Sequence, residues 1–351
     1  MPANRGWLIA ATGLIVVVLI ALVLAATLGG PAPPKVQVEP EVTFALPPTS
    51  AGCGGDSRTA SGVTQVPLTV STVAGQTAET VNVCIAGHGP YPFVLDSGAG
   101  QSTIDAGLAK RLHLASAGQS STFAGVGCTG SAQPVASGSW SLEGVALSPQ
   151  QLTAATLPQI GEKGEPVGLL GSDVLARFGA VRIDFAARAL LLPGSEGAAL
   201  TATSDYTGPL GPAPAALTLG QGTTVPLTVS PQIGDVSLSV AVRFAGGAPS
   251  GFVVDTGSSQ SVVSTSVARK ASLRGTELAQ RQATVCSVIT VPLVHSGSWS
   301  IPDVVLHQQL LGSTNFGAIA SPGLDGLLGS DQLLHYGWVV LDYTGGRLVL
   351  G

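Results

Sequence analysis

Residues 93–100 read FVLDSGAG and residues 252–259 read FVVDTGSS, an apolar run closed by an acid, a small hydroxyl residue and glycine, written twice in one chain. The copies lie 159 residues apart, as do VPLTV at 66 and 225 and SGSW at 137 and 296. GLLGSD follows at 168 and 326, and Asp184 is matched by Asp342, both at a spacing of 158. One long period used twice is not a solenoid, which stacks three or more shorter units. It describes two lobes related by a pseudo-twofold axis.

The matched segments read as strands. ETVNVCIAG and VSLSVAVRFAG alternate in period two and end in glycine, as half-buried strands leading into turns do. YPFVLD and SGFVVD are short, wholly apolar and rich in Val and Phe, the pattern of interior strands. Helix is expected only in DAGLAKRLHL, in its counterpart STSVARKASL, and after each GSD, where Asp173 and Asp331 are placed to cap helix amides. Charged residues are 10% of the chain, against 47 glycines and 24 prolines, which suits short strands and tight turns. The fold class is all-β.

The boundaries follow from composition. Residues 8–28 form an uncharged apolar stretch of about 20 residues, enough at ~1.5 Å per residue to span a ~30 Å hydrocarbon core. They are read as one N-terminal transmembrane helix, the alternative being a signal peptide cleaved near Ala25 and Ala26. Arg5 precedes the stretch and no Lys or Arg follows until Lys35, which puts the remainder on the extracytoplasmic face. Residues 29–62 are a Pro/Gly-rich tether, 63–193 lobe 1, 194–222 a Gly/Ala/Pro-rich linker and 223–351 lobe 2. The net charge of −5 comes without any Lys/Arg cluster, which argues against a nucleic-acid partner.

With both Asp-hydroxyl-Gly motifs closing apolar strands and each followed by Leu-Leu-Gly, the chain resembles the aspartic peptidases. The length of each lobe resembles the retropepsin-like domain, here duplicated in one chain in the bilobal manner of pepsins. The resemblance covers residues 63–351 and implies two fused retropepsin-like (acid protease) β lobes, a monomeric arrangement, polypeptide substrates and no cofactor or metal. It implies that Asp96 and Asp255 form the catalytic pair. Two carboxylates brought side by side cannot both ionise readily, so they share a proton and activate a water.

Ser97 and Thr256 are expected to reach across to the opposite lobe, and Gly98 and Gly257 to let main chain approach the carboxylates. The Ser258 hydroxyl, where lobe 1 has Ala99, is expected to bond the neighbouring carboxylate and make the lobe 2 acid the stronger. Gly125, Val126, Gly127 and Cys128 fall where retropepsins carry a glycine-rich flap over substrate. Val285 and Cys286 hold the matching place without glycine, so one flap is expected to be stiffer. Gly100, Ser259, Ser172 and Ser330 occupy places where retroviral enzymes carry an Asp and Arg pair, so both ends of that pair are absent together.

Four cysteines allow three connectivities. The matched positions of Cys128 and Cys286 favour a flap-to-flap disulfide, with Cys53 and Cys84 tying the tether to lobe 1. No close Cys/His spacing marks a zinc site, and the five histidines lack any triad or metalloprotease context. Trp140 and Trp299 read as packing residues. Two other classes fit less well: a two-lobed peptide-binding or envelope scaffold that keeps the fold without cutting, and a β-sandwich adhesion module in which both acids are surface turns.

Overall fold

Strand Ala180–Asp184 pairs antiparallel with Trp338–Asp342, its own copy in the repeat, and the register sets Arg182 opposite Val340. Val340 is the counterpart of Arg182 158 residues on, so the pairing is centred on matched residues and the pseudo-twofold axis passes between them. The two strands are the middle of a seven-stranded sheet to which both lobes contribute. Ala189–Pro193, Val63–Pro67 and Arg58–Ala60 extend it on one side, and Arg347–Leu350 with Thr223–Pro226 on the other.

The computed structural model describes residues 35–36, 52–60, 62–73, 76–157, 166–193, 196, 222–232, 235–317 and 324–351. The apolar stretch 8–28 and most of the tether and linker lie outside them. No helix among the described residues is long and apolar enough to cross a membrane. Both lobes lie within one unit, Val36–Gly351.

Each lobe then builds its own mixed sheet by the same rule. Strand Gly168–Gly171 runs parallel to His88–Asp96, setting Gly171 opposite Asp96, and Gly326–Gly329 runs parallel to Ser250–Asp255, setting Gly329 opposite Asp255. This explains why the two motifs travel together in the sequence: they are neighbouring strands of one sheet. Phe93, Leu95, Phe252 and Val254 have no exposed surface, and alternate residues of the flanking strands complete the core. The opening glycine of each GLLG lies against an aromatic face, since a Cβ on Gly168 would overlap the Phe93 ring and one on Gly326 the Phe252 ring. Gly326→Ala is therefore expected to destabilise the protein by about 1–3 kcal/mol through overpacking, read as a lower urea midpoint, and an unchanged midpoint would contradict the fit.

Helices are short and fall where the sequence placed them, at Ala106–Arg111, Thr265–Lys270, Ser172–Leu175 and Ser330–Leu333. The first two start on side-chain caps, with Asp105 accepting from the Leu108 amide at 2.9 Å and Ser264 from the Val267 amide at 3.2 Å. Asp173 and Asp331 each take one helix amide, from Val174 at 3.0 Å and Gln332 at 2.9 Å. They also clamp the loop beyond the motif acid of their own lobe. Asp173 accepts from the amide and hydroxyl of Ser102, and Asp331 from those of Ser261. Trp140 and Trp299 are buried, each giving its indole N–H to a carbonyl, those of Ser148 and His307.

Candidate active site

Asp96 and Asp255 end buried apolar strands on opposite sides of the pseudo-twofold axis, and the loops that follow them interlock. Ser97 Oγ donates to the carbonyl of Val254 at 2.8 Å, and Thr256 Oγ1 donates to the carbonyl of Leu95 at 2.6 Å. Each hydroxyl oxygen also accepts from the partner amide, Thr256 N to Ser97 Oγ at 3.1 Å and Ser97 N to Thr256 Oγ1 at 3.0 Å. Four buried bonds thus fix one motif against the other, with both hydroxyl residues fully covered. A hydroxyl is the smallest group that both donates and accepts here, so Ser and Thr serve equally.

The interlock carries each motif glycine beneath the acid of the other lobe. A Cβ on Gly98 would overlap the Asp255 carboxyl group, and one on Gly257 would overlap that of Asp96. The two carboxyl groups lie within hydrogen-bond reach of one another. Asp96 Oδ1 accepts the amides of Ala99 at 2.9 Å and Gly98 at 3.0 Å, and Asp255 Oδ1 that of Ser258 at 2.9 Å.

Burial raises the pKa of both acids, but unequally. For Asp96 the rise is opposed by the Ala99 amide, by the hydrogen bond from Asp255 and by the Gly98 amide. For Asp255 burial is reinforced by the charge and hydrogen bond of Asp96, which holds it well above the ordinary carboxyl range. Both acids are therefore pushed toward protonation, and the pair holds one shared proton between them. The bond expected from the Ser258 hydroxyl to the neighbouring carboxylate is not made. That hydroxyl donates not to a carboxylate but to the carbonyl of Gln260 at 2.7 Å, and it accepts from Gln282 Nε2 at 3.3 Å. Its amide, which any residue would supply, is what reaches Asp255.

The places left by the missing Asp and Arg pair are used differently. Ser172 and Ser330 are buried beneath the motifs and donate to the carbonyls of Ser97 and Thr256 at 2.8 and 2.9 Å. Each meets a second group from across the molecule, Tyr343 Oη for Ser172 and Glu79 Oε2 for Ser330. Sequence reasoning missed both partners. For Glu79 a signal was present, because it stands in register with Val81, Val83 and Ile85 on the buried face of an alternating strand.

The two candidate flaps are hairpins. Ser121–Gly125 and Cys128–Ala136 turn through Val126 and Gly127, whose φ of 69° favours glycine. Gly275–Ala283 and Val288–His295 turn through residues 284–287, where Thr284 and Ser287 hydrogen-bond one another. A disulfide joins Cys128 to Cys286, tip to tip, and a Cβ on Gly125 would overlap Val285. The second disulfide joins Cys53 to Cys84. Among the described residues no cluster of His, Cys, Asp and Glu is arranged to hold a metal ion.

Comparison with protein families matches residues 81–174 and 240–332 to the family described as aspartyl protease, one match per lobe and together more than half the chain. The chain belongs to the aspartyl protease family. Solved structures similar to this family member include an aspartic proteinase from Irpex lacteus, 12% identical, with 82% of this chain and 97% of that one covered at a TM-score of 0.46. Basic 7S globulin from soybean is 13% identical, with 83% and 96% covered at 0.44. Conglutin gamma from lupine seeds is 13% identical, with 82% and 94% covered at 0.44. No curated protein sequence matches the chain.

Proposed function

We propose that the protein is an aspartic endopeptidase that hydrolyses peptide bonds with a water activated by Asp96 and Asp255. The observation that carries this reading is the close approach of each carboxyl group to the other lobe's motif glycine, with both acids pushed toward protonation. Two surface turns would have no reason to be interlocked by four buried bonds. Membership of the aspartyl protease family supports a peptidase-like function.

In this reading Asp96 is the ionised member of the pair and Asp255 the protonated one. Ionised Asp96 takes a proton from a water held between the carboxyl groups, and the water oxygen attacks the scissile carbonyl carbon. Asp255 donates its proton to the carbonyl oxygen as the tetrahedral intermediate forms. Collapse breaks the carbon–nitrogen bond as the proton gained by Asp96 passes to the leaving nitrogen, and the hydroxyl proton returns to the pair. The pair titrates as a unit and no covalent intermediate is needed.

In this reading the substrate lies extended in the cleft between the lobes, under the hairpins joined by Cys128 and Cys286. Both disulfides suit an oxidising compartment. With the apolar stretch 8–28 retained, the enzyme is anchored and faces exported or cell-surface polypeptides as a monomer.

The test is incubation of the full chain, in detergent, with a peptide library across roughly pH 4 to 7, beside an Asp96→Asn control. Cuts made by the native chain alone are expected. Peptides bound by both proteins and cut by neither would replace the peptidase with a binding scaffold.

A further inference from the structure

The base of the acid pair is built alike in both lobes up to one group. Ser172 Oγ bonds the carbonyl of Ser97 and Ser330 Oγ that of Thr256, the residues directly after the two acids. Each serine oxygen has a second buried contact from the other lobe, with Tyr343 Oη at 2.8 Å or with Glu79 Oε2 at 2.9 Å. A serine hydroxyl carries one proton, and a carbonyl can only accept. Once that proton serves the carbonyl, the second partner must be a donor. The buried Tyr343 phenol, its pKa pushed up chiefly by burial, is a donor throughout the range in which proteins fold. A carboxyl group donates only while it is protonated.

We infer that Glu79 is a positioning residue that braces the Asp255 loop as a neutral carboxylic acid, donating from Oε2 to Ser330 Oγ so that Ser330 can donate to the Thr256 carbonyl. Three observations point the same way. Glu79 has no exposed surface, and its Oε1 has no hydrogen-bond partner, a situation far more costly for a carboxylate than for the neutral acid. No cation faces it. Of the elements packed on its strand, Thr69–Val73 and Trp140–Leu142 carry no charge, and His88–Asp96 brings Asp96 near it with His88 and Tyr91 farther along. Helix Ser330–Leu333 brings Asp331, whose carboxylate is engaged by Ser261. Burial accordingly lifts Glu79 from the ordinary 4.5 to about 7, with the Ser330 bond acting in the opposite sense.

The device belongs to this chain's second lobe and is not a copy of the first. Tyr343 and Glu79 are not repeat mates, since Phe185 and Leu238 stand at the matched positions. One lobe meets the need for a donor with a phenol and the other with a titratable acid. Because the folded pKa lies above the ordinary value, the stability Glu79 contributes is complete below pH 4.5 and is lost as pH rises through about 7. Above that, the ionised group draws the Ser330 proton to itself and the Thr256 carbonyl loses its donor.

The consequence for turnover rests on the peptidase reading, but the protonation state does not, so two measurements separate them. Full-chain Glu79→Gln, which keeps a neutral donor, and Glu79→Leu, the residue of the matched position, are compared with the native chain. In denaturant unfolding between roughly pH 5 and 8, the native chain is expected to lose on the order of 10²-fold more in its folding equilibrium constant than Glu79→Gln does. Equal pH dependence of the two would overturn the inference, whether or not any peptide is cut and whether or not the Leu variant folds. In peptide hydrolysis, Glu79→Gln is expected to extend turnover to higher pH, and Glu79→Leu to lower kcat about tenfold at every pH with KM little changed. Equal kcat for the Gln and Leu variants at every pH would reduce Glu79 to a space-filling side chain.

Discussion

Asp255→Asn is expected to lower kcat for peptide hydrolysis by about 10⁴-fold while raising the denaturant midpoint of the folded protein at neutral pH. The amide preserves the shape of the carboxyl group and can still donate a hydrogen bond to Asp96. It cannot hand a proton to the carbonyl oxygen of the substrate. The gain in stability follows from the direction of the shift. Burial and the neighbouring charge hold Asp255 well above its ordinary value of 3.8, so its stabilising contribution is complete below that value and is lost as pH rises. Asn has no ionisation to suppress, so the loss disappears and the midpoint at neutral pH rises.

Asp96→Asn is the contrasting case. Asp96 Oδ1 accepts two amides and the bond from Asp255, and an amide group meets those donors less well than a carboxylate does. Both variants are expected to be inactive, with Asp96→Asn gaining less stability at neutral pH because the amide replaces those bonds poorly. An Asp255→Asn protein that still cuts would overturn the shared role of the two acids, and one that unfolds at a lower denaturant concentration than the native chain at neutral pH would overturn the direction of the shift.

Loss of the link between the hairpins has the second large expected effect. Cys128 and Cys286 are 158 residues apart in sequence, and closing a loop of this size contributes on the order of 5 kcal/mol by chain entropy. Cys128→Ser combined with Cys286→Ser should therefore unfold at a markedly lower denaturant concentration. The same change should alter which substrates are accepted. While the tips are joined, a polypeptide reaches the acid pair only along the cleft, as an extended segment. With the tips free, a loop of a folded protein can enter from above once the hairpins part. Cleavage of folded proteins should then rise relative to cleavage of short peptides, measured on both substrate types under non-reducing conditions. An unchanged ratio would mean that the hairpins do not control entry.

Much of this was legible in the sequence because it is local or repeated. The alternation of ETVNVCIAG, the apolar runs closing in Asp96 and Asp255, and the recurrence of GLLGSD each follow from strand geometry or from duplication. Both leave a period that can be read without coordinates. Even the cysteine pairing across the hairpins rests on matched positions, since a twofold axis brings matched residues together. The two-lobed β fold and the meeting of Asp96 and Asp255 were therefore written in the order of residues.

Contacts that break the repeat were decided only by the folded chain. Ser258 offered a hydroxyl at a plausible distance along the chain, yet the loop turns it to the Gln260 carbonyl, and only the backbone path reveals this. That both acids are pushed toward protonation depends on burial and on the neighbouring charge, opposed by the amides of Gly98 and Ala99, all of which arise when the lobes close. Glu79 and Ser330 meet across 251 residues with no matched pair to announce them. A sequence records periodicity because identical local geometry demands it. It does not record which unlike groups a twofold interface presses together, since that choice is set by side-chain packing across the axis.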